Sequence, residues 1–253
     1  MKLDVIGRRR LLRLVGGTGA AAILAGDRRT LDAATACVPA TPQVTEGPYW
    51  IDEKLFRSDI RTDPASGVAR PGVPLTLSIQ LQNMTGRSCT PLAGAYVDVW
   101  HCDATGQYSD EPAFDPDGGE GMVTTTGQTF LRGYQISSDR GQVQFTTIYP
   151  GWYPGRTVHI HVRVRTYAGS SVLTDFVTQI FFDDAISNVV LSQPLYNRRR
   201  FSRDTTNSDD MVYLDADNPR RMLATVTPND SGYAAAITIG LSAQMAAWTR
   251  NRA

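Results

Sequence analysis

His159 and His161 sit one residue apart in the run Val158-His159-Ile160-His161-Val162-Arg163-Val164. Successive side chains of a strand point to opposite faces, so the valines and Ile160 share one face and both imidazoles are presented on the other. Imidazoles paired this way suit Zn, Cu, Fe or Ni, although a polar strand edge turned to solvent has the same pattern. The surrounding sequence adds oxygen donors. Just upstream, Tyr149-Pro150-Gly151-Trp152-Tyr153-Pro154-Gly155-Arg156 is a Pro/Gly loop that carries three aromatics into the histidine strand. Further upstream, Trp100-His101-Cys102-Asp103-Ala104-Thr105-Gly106-Gln107-Tyr108 leaves a strand and turns into another tyrosine. Phenolates are hard anionic donors, and beside neutral imidazoles they favour iron(III). Each tyrosine must lose a proton it otherwise holds up to a pKa of about 10, and a Lewis-acidic metal drives that loss.

Such residues need a rigid frame, and the sequence describes an all-β one. Leu75, Leu77, Ile79 and Leu81 alternate with polar residues, as do Val97 with Val99 and Val143 with Phe145. Val158 to Val164, Phe176 to Phe182 and Tyr233 to Leu241 supply further strands, with Gly, Pro, Asn and Asp between them. The fold class is a β-sandwich of mixed and antiparallel sheets with long loops forming the site. Helical periodicity is confined to the last few residues, and the polar interval Asp183 to Asp230 reads as turns and surface segments.

Thr45-Glu46-Gly47-Pro48-Tyr49, Trp100 to Ser109, Phe130-Leu131-Arg132-Gly133-Tyr134-Gln135 and Pro150 through His161 together resemble the intradiol ring-cleavage dioxygenases, in that family's order. The resemblance spans roughly Cys37 to Leu241, and the short Tyr153 to His161 spacing is similar to the exported members. It implies a mononuclear non-haem Fe(3+) held by Tyr108, Tyr153, His159 and His161. Tyr108 and His159 would be equatorial, and Tyr153 and His161 axial, with Tyr153 released when substrate arrives. Arg156 matches the family arginine beside the bound ring, and Gln179 a polar residue behind it. Gly47, Pro48 and Tyr49 would line the pocket entrance, and His101 matches no ligand position. The implied reaction opens a catechol-type diol with O2 to a cis,cis-muconate.

Composition agrees with a small partner. Lys+Arg 25 balance Asp+Glu 25, so no net field draws the chain to nucleic acid or an acidic membrane. Residues 1–36 read as an export segment: Arg8-Arg9-Arg10-Leu11-Leu12-Arg13 precedes a weakly apolar run and the small residues Ala34-Thr35-Ala36, which resembles a twin-arginine signal. The catalytic domain is then 37–253. No later stretch approaches the roughly 20 apolar residues of a membrane span. Cys37 and Cys89 lie in loop-like sequence and are the expected disulfide pair, with three unpaired thiols as the other reading. No Gly-rich nucleotide fingerprint is present, and oligomeric state is not legible. Two other functions fit the residues alone: a secreted β-sandwich binding module with Tyr and His along a groove, and a zinc or copper enzyme on the same scaffold.

Overall fold

The computed structural model describes residues 37–86, 88–112, 124–197 and 202–242. The export segment and the helical tendency at the chain's end lie outside the described residues. Two sheets face each other. The first is mixed: β1 (Pro74–Thr85) lies parallel to β9 (Tyr233–Ser242) and antiparallel to β2 (Ser88–Pro91) and β5 (Gln142–Ile148), with β8 (Thr225–Pro228) outside β9. The second is antiparallel, in the order β4 (Arg132–Ile136), β3 (Tyr96–Trp100), β6 (His159–Ala168), β7 (Ser171–Phe181). The alternating apolar residues meet between the sheets: Leu75, Leu77, Ile79 and Phe145 from the first, and Val97, Val99, Ile160, Val162, Val164 and Phe176 from the second, all essentially inaccessible. Each such side chain contributes about 1.5–3 kcal/mol on burial, which fixes the register of both sheets.

That register sets the opposite face of the second sheet. One transverse row reads Arg132 on β4, Trp100 on β3, His161 on β6 and Gln179 on β7. The segment from Cys37 to Ile60 lies across both sheets. A Cys37–Cys89 disulfide ties its start to β2, and backbone hydrogen bonds join Thr41 to β9, Val44 to β7, Arg57 to β4 and Ile60 to β5.

One sequence reading is corrected. Asp183 to Asp230 is not a run of turns and surface segments. It forms α1 (Asp184–Leu191), α2 (Met211–Leu214), a 3-10 turn (Pro219–Met222) and β8, and it buries Tyr196, Asp210, Tyr213 and Met222. Few apolar residues are needed for elements this short, so the polar composition concealed them. Asp183 and Asp210 cap the two helices, accepting from the backbone N–H of Ala185 and Tyr213.

Candidate metal centre

His159 and His161 project from the start of β6, 2% and 0% exposed, while Val158, Ile160 and Val162 fill the core behind them. His159 Nδ1 faces the Thr157 carbonyl at 2.6 Å, so it carries the proton and Nε2 offers its lone pair to the site. His161 stacks on Trp100 at 4.8 Å and 9°. Its Nε2 lies 3.1 Å from His159 Nε2 and 3.1 Å from the Tyr108 hydroxyl.

Tyr108 arrives on a loop shaped by Asp103, whose Oδ1 accepts from the Thr105 and Gln107 backbone N–H and the Thr105 hydroxyl. This side-chain-to-backbone bonding turns the chain after β3 back on itself. Thr125 Oγ1 donates to the Tyr108 carbonyl, and buried Arg132 donates to Ser109 Oγ and O and to the Tyr49 carbonyl. Tyr153 arrives differently. Tyr153-Pro154-Gly155-Arg156 closes a turn through Arg156 N–H to Tyr153 O at 3.2 Å, with Gly155 at φ +79°. Proline second and a positive-φ glycine third are the signature of a type II turn. Tyr153 and Arg156 therefore stand on its two legs. The Tyr153 hydroxyl is 3.1 Å from His159 Nε2, and that of Tyr108 is 3.4 Å from the same atom.

Two imidazole nitrogens and two phenol oxygens thus converge within hydrogen-bonding distance, and no carboxylate is among them. Burial pushes both phenols above their ordinary range, and the Arg156 guanidinium pulls Tyr153 back. Burial also lowers both histidines, His159 to about 3. Without a cation the four groups are neutral. Among the described residues His161 Nδ1 has no hydrogen-bond partner, and the two Nε2 atoms face each other at 3.1 Å. A single hard cation shared by the four atoms would resolve that crowding and take the place of the phenol protons. The donor set fits ferric iron on these grounds. Among the described residues no group of three or more His, Cys, Asp or Glu offers an alternative metal site.

A sequence model of the family described as Dioxygenase matches residues 45–208, which contain all four donors. The chain is 32% identical to an intradiol ring-cleavage dioxygenase of Tetranychus urticae, with a TM-score of 0.66 over 81% of this chain and 95% of that one. This chain belongs to the intradiol ring-cleavage dioxygenases. It is also 26% identical to catechol 1,2-dioxygenase 1 of Acinetobacter lwoffii over 54% of this chain, and 27% identical to a chlorocatechol 1,2-dioxygenase of Rhodococcus opacus over 45% of it. The chain spans just under half the length of those curated relatives, 45% in each case.

The other candidate residues surround the four donors. Arg156 donates to Asp210 Oδ2 at 2.9 Å and to Gln179 Oε1 at 2.6 Å, and Gln179 Nε2 donates to the Thr45 carbonyl at 3.0 Å. Gly47 has φ +69°, and a Cβ there would come 3.3 Å from His161 Cε1. Tyr49 stacks on Tyr108 at 4.2 Å and 19°. Pro48 is exposed between them. His101 lies apart, with Nδ1 on the Cys102 carbonyl at 2.8 Å and Nε2 on Thr147 Oγ1 at 2.7 Å, so both its nitrogens are occupied within the fold.

Asp210 was not anticipated from sequence. It is 0% exposed and accepts from Arg156, from Thr157 N–H and from Tyr213 N–H. It therefore holds the guanidinium and the backbone leading into His159 with one carboxylate. Its sequence signal was the N-cap position: an aspartate directly before the apolar-rich Met211-Val212-Tyr213-Leu214. Arg132 was part of a recognised motif, but its three-way grip on Ser109 and Tyr49 is visible only in the fold.

Proposed function

We propose that this protein opens catechol-type aromatic diols between their two hydroxyl-bearing carbons, adding both atoms of O2 to give a cis,cis-muconate-type dicarboxylic acid. The convergence of Tyr108, Tyr153, His159 and His161 carries this reading. These four would hold ferric iron, and the relatives named for catechol substrates support the substrate class. Ferric iron, when bound, supplies the Lewis acidity that keeps both phenols ionised and activates a chelated diol toward O2.

The chain's own residues have distinct parts. Tyr153, half-buried on its turn, would be the donor that makes room for the diol, with its phenolate oxygen placed to accept a hydroxyl proton from it. Tyr108, 3% exposed and stacked under Tyr49, stays. Arg156, fixed by Asp210 and Gln179, sets a cation beside the ring, where carbanion character develops. Tyr49 over Tyr108 and Trp100 over His161 keep water from the donors. The same proposal places the enzyme outside the cytoplasm. The basic, apolar and small-residue order of residues 7–36 and the Cys37–Cys89 bridge both suit export to an oxidising compartment.

One experiment tests the reading. Protein recovered from the exported fraction of expressing cells is loaded with ferric iron, scanned for the broad visible band of iron-bound tyrosinate, and given a panel of catechols with O2 uptake and product identification. Colour and a muconate are the expected results. A colourless iron-loaded protein, or an extradiol semialdehyde as product, refutes it.

A further inference from the structure

We propose that Arg163 and Arg165 are specificity-setting positioning residues: they latch residues 46–52 across the site and so fix the Gly47 to Tyr49 wall against His161 and Tyr108. The proposal rests on the reading that this site takes an aromatic diol. Its structural half is independent of that reading.

His161, Arg163 and Arg165 alternate along β6 and share a face, so the strand that presents a metal donor also carries two guanidinium groups further along. Each is braced from the sheet side by a carboxylate. Arg163 donates through Nε and Nη2 to both oxygens of Asp175 at 2.7 and 2.6 Å, and Arg165 donates through Nη2 to Asp98 at 2.9 Å. The planar fork then has N–H groups left to point outward. Arg163 Nη1 takes Glu46 at 2.9 Å, and Arg165 Nη1 takes Asp52 at 3.1 Å. Between these two feet, the Trp50 ring lies under both cations, 4.7 and 5.5 Å from its centre.

What the feet enclose is the wall of the site. Trp50 packs on Trp100 at 4.7 Å, and Trp100 stacks on His161. Gly47 comes against the His161 ring and Tyr49 against Tyr108. A shift of the strap therefore moves pocket surface directly, while the four donors stay rooted in β6 and in the loops ending at Tyr108 and Tyr153. The inner ion pairs are part-buried and bidentate or shielded. The strap's own carboxylates are 46% and 38% exposed, so the outer pairs are individually weak and open to salt. Loosening the latch should widen the pocket without dismantling the centre.

The test uses the paired substitution Glu46→Gln with Asp52→Asn, which touches neither the donors nor the arginines. In metal-free protein, hydrogen exchange over residues 45–53 should speed by about three- to tenfold, and 0.5 M NaCl should speed it in the parent but not in the variant. In iron-loaded protein the visible band should be unchanged, kcat should hold within about twofold, and KM for catechol should rise by about three- to tenfold. The preference for catechol over 4-tert-butylcatechol should narrow by a similar factor. Exchange at the parental rate overturns the latch. Faster exchange with unchanged KM and unchanged preference overturns its role in specificity. If the parent opens no catechol at all, the functional reading fails while the exchange result still decides the latch.

Discussion

The two tyrosines of the centre reach the same nitrogen, His159 Nε2, by arms of opposite character. The Tyr108 arm is buried and bonded along its length. Asp103 organises its turn, Thr125 holds the tyrosine's carbonyl, Arg132 holds Ser109, and Tyr49 covers the ring. The Tyr153 arm is a single turn whose tip, Pro154 and Gly155, is exposed, and a side chain added at Gly155 would meet nothing within 4 Å. Its bonds are made at the tip and base by carboxylates from a distant stretch of chain: Asp204 to the Gly155 N–H, and Asp210 to Arg156 and Thr157. The same side-chain type is thus held on two backbones of different firmness, which is the basis for proposing Tyr108 as the donor that stays and Tyr153 as the one that gives way.

Conservative removal of each hydroxyl separates the two roles most strongly. Tyr108→Phe should cost on the order of 10³-fold in kcat/KM, about 4 kcal/mol of transition-state stabilisation, and should strip the tyrosinate colour that the parent keeps with catechol bound. Tyr153→Phe should cost only about tenfold, and its spectrum with catechol bound should match that of the parent if, as proposed, Tyr153 is the donor that gives way to the diol. Equal losses from the two variants, or different substrate-bound spectra for Tyr153→Phe and parent, would break the comparison.

A smaller effect probes what steadies the Tyr153 arm. Asp210→Asn leaves Arg156 with Gln179 alone and removes the anion that accepts from Thr157 N–H and Tyr213 N–H. Breaking a buried ion pair costs about 3 kcal/mol or more, so unfolding should shift by that amount while the bound-iron colour persists. If kcat for catechol is untouched in this variant, Arg156 does not depend on Asp210 for its place beside the ring.

The same contrast governs what could be read from the sequence. The histidines were legible because burial of Val158, Ile160, Val162 and Val164 forces His159 and His161 to the opposite face, a local consequence of strand geometry. Tyr153 and Arg156, like Tyr108, rested on the family resemblance; the turn that Pro154-Gly155 makes between them is seen in the fold. Tyr108 needed the family's motif order, since nothing in Gly106-Gln107-Tyr108 reveals that Asp103 folds it toward β6. Asp210 was not legible as a site residue. It follows exposed Ser208 and Asp209 in a polar run, and its burial arises from contact with a residue 54 positions away. Strand β4 escaped for a related reason: its core face carries Gly133, so no apolar alternation marks it.

The least costly test concerns the root of the Tyr108 arm. His101 leaves β3 fully buried between the Cys102 carbonyl and Thr147 of the other sheet. Its Nδ1 must donate to the carbonyl, so Nε2 accepts from the threonine and the ring is neutral. Burial, with help from the Arg132 charge, lowers its pKa to about 4, whereas the unfolded chain protonates near 6.5. A lowered folded pKa means that the unfolded state binds the proton first as the pH drops. The stability from neutral His101 is therefore complete above about 6.5 and is lost as pH falls from there toward about 4, amounting to about 2 kcal/mol by pH 5. His159 and His161 push in the same direction, so the informative quantity is a difference. Between pH 7 and pH 5 the parent should lose about 2 kcal/mol more than His101→Gln, measured by denaturant unfolding. Parallel losses would mean that the ring at the root of the Tyr108 arm is protonated as readily in the fold as outside it, and that this arm is less tightly sealed than its contacts indicate.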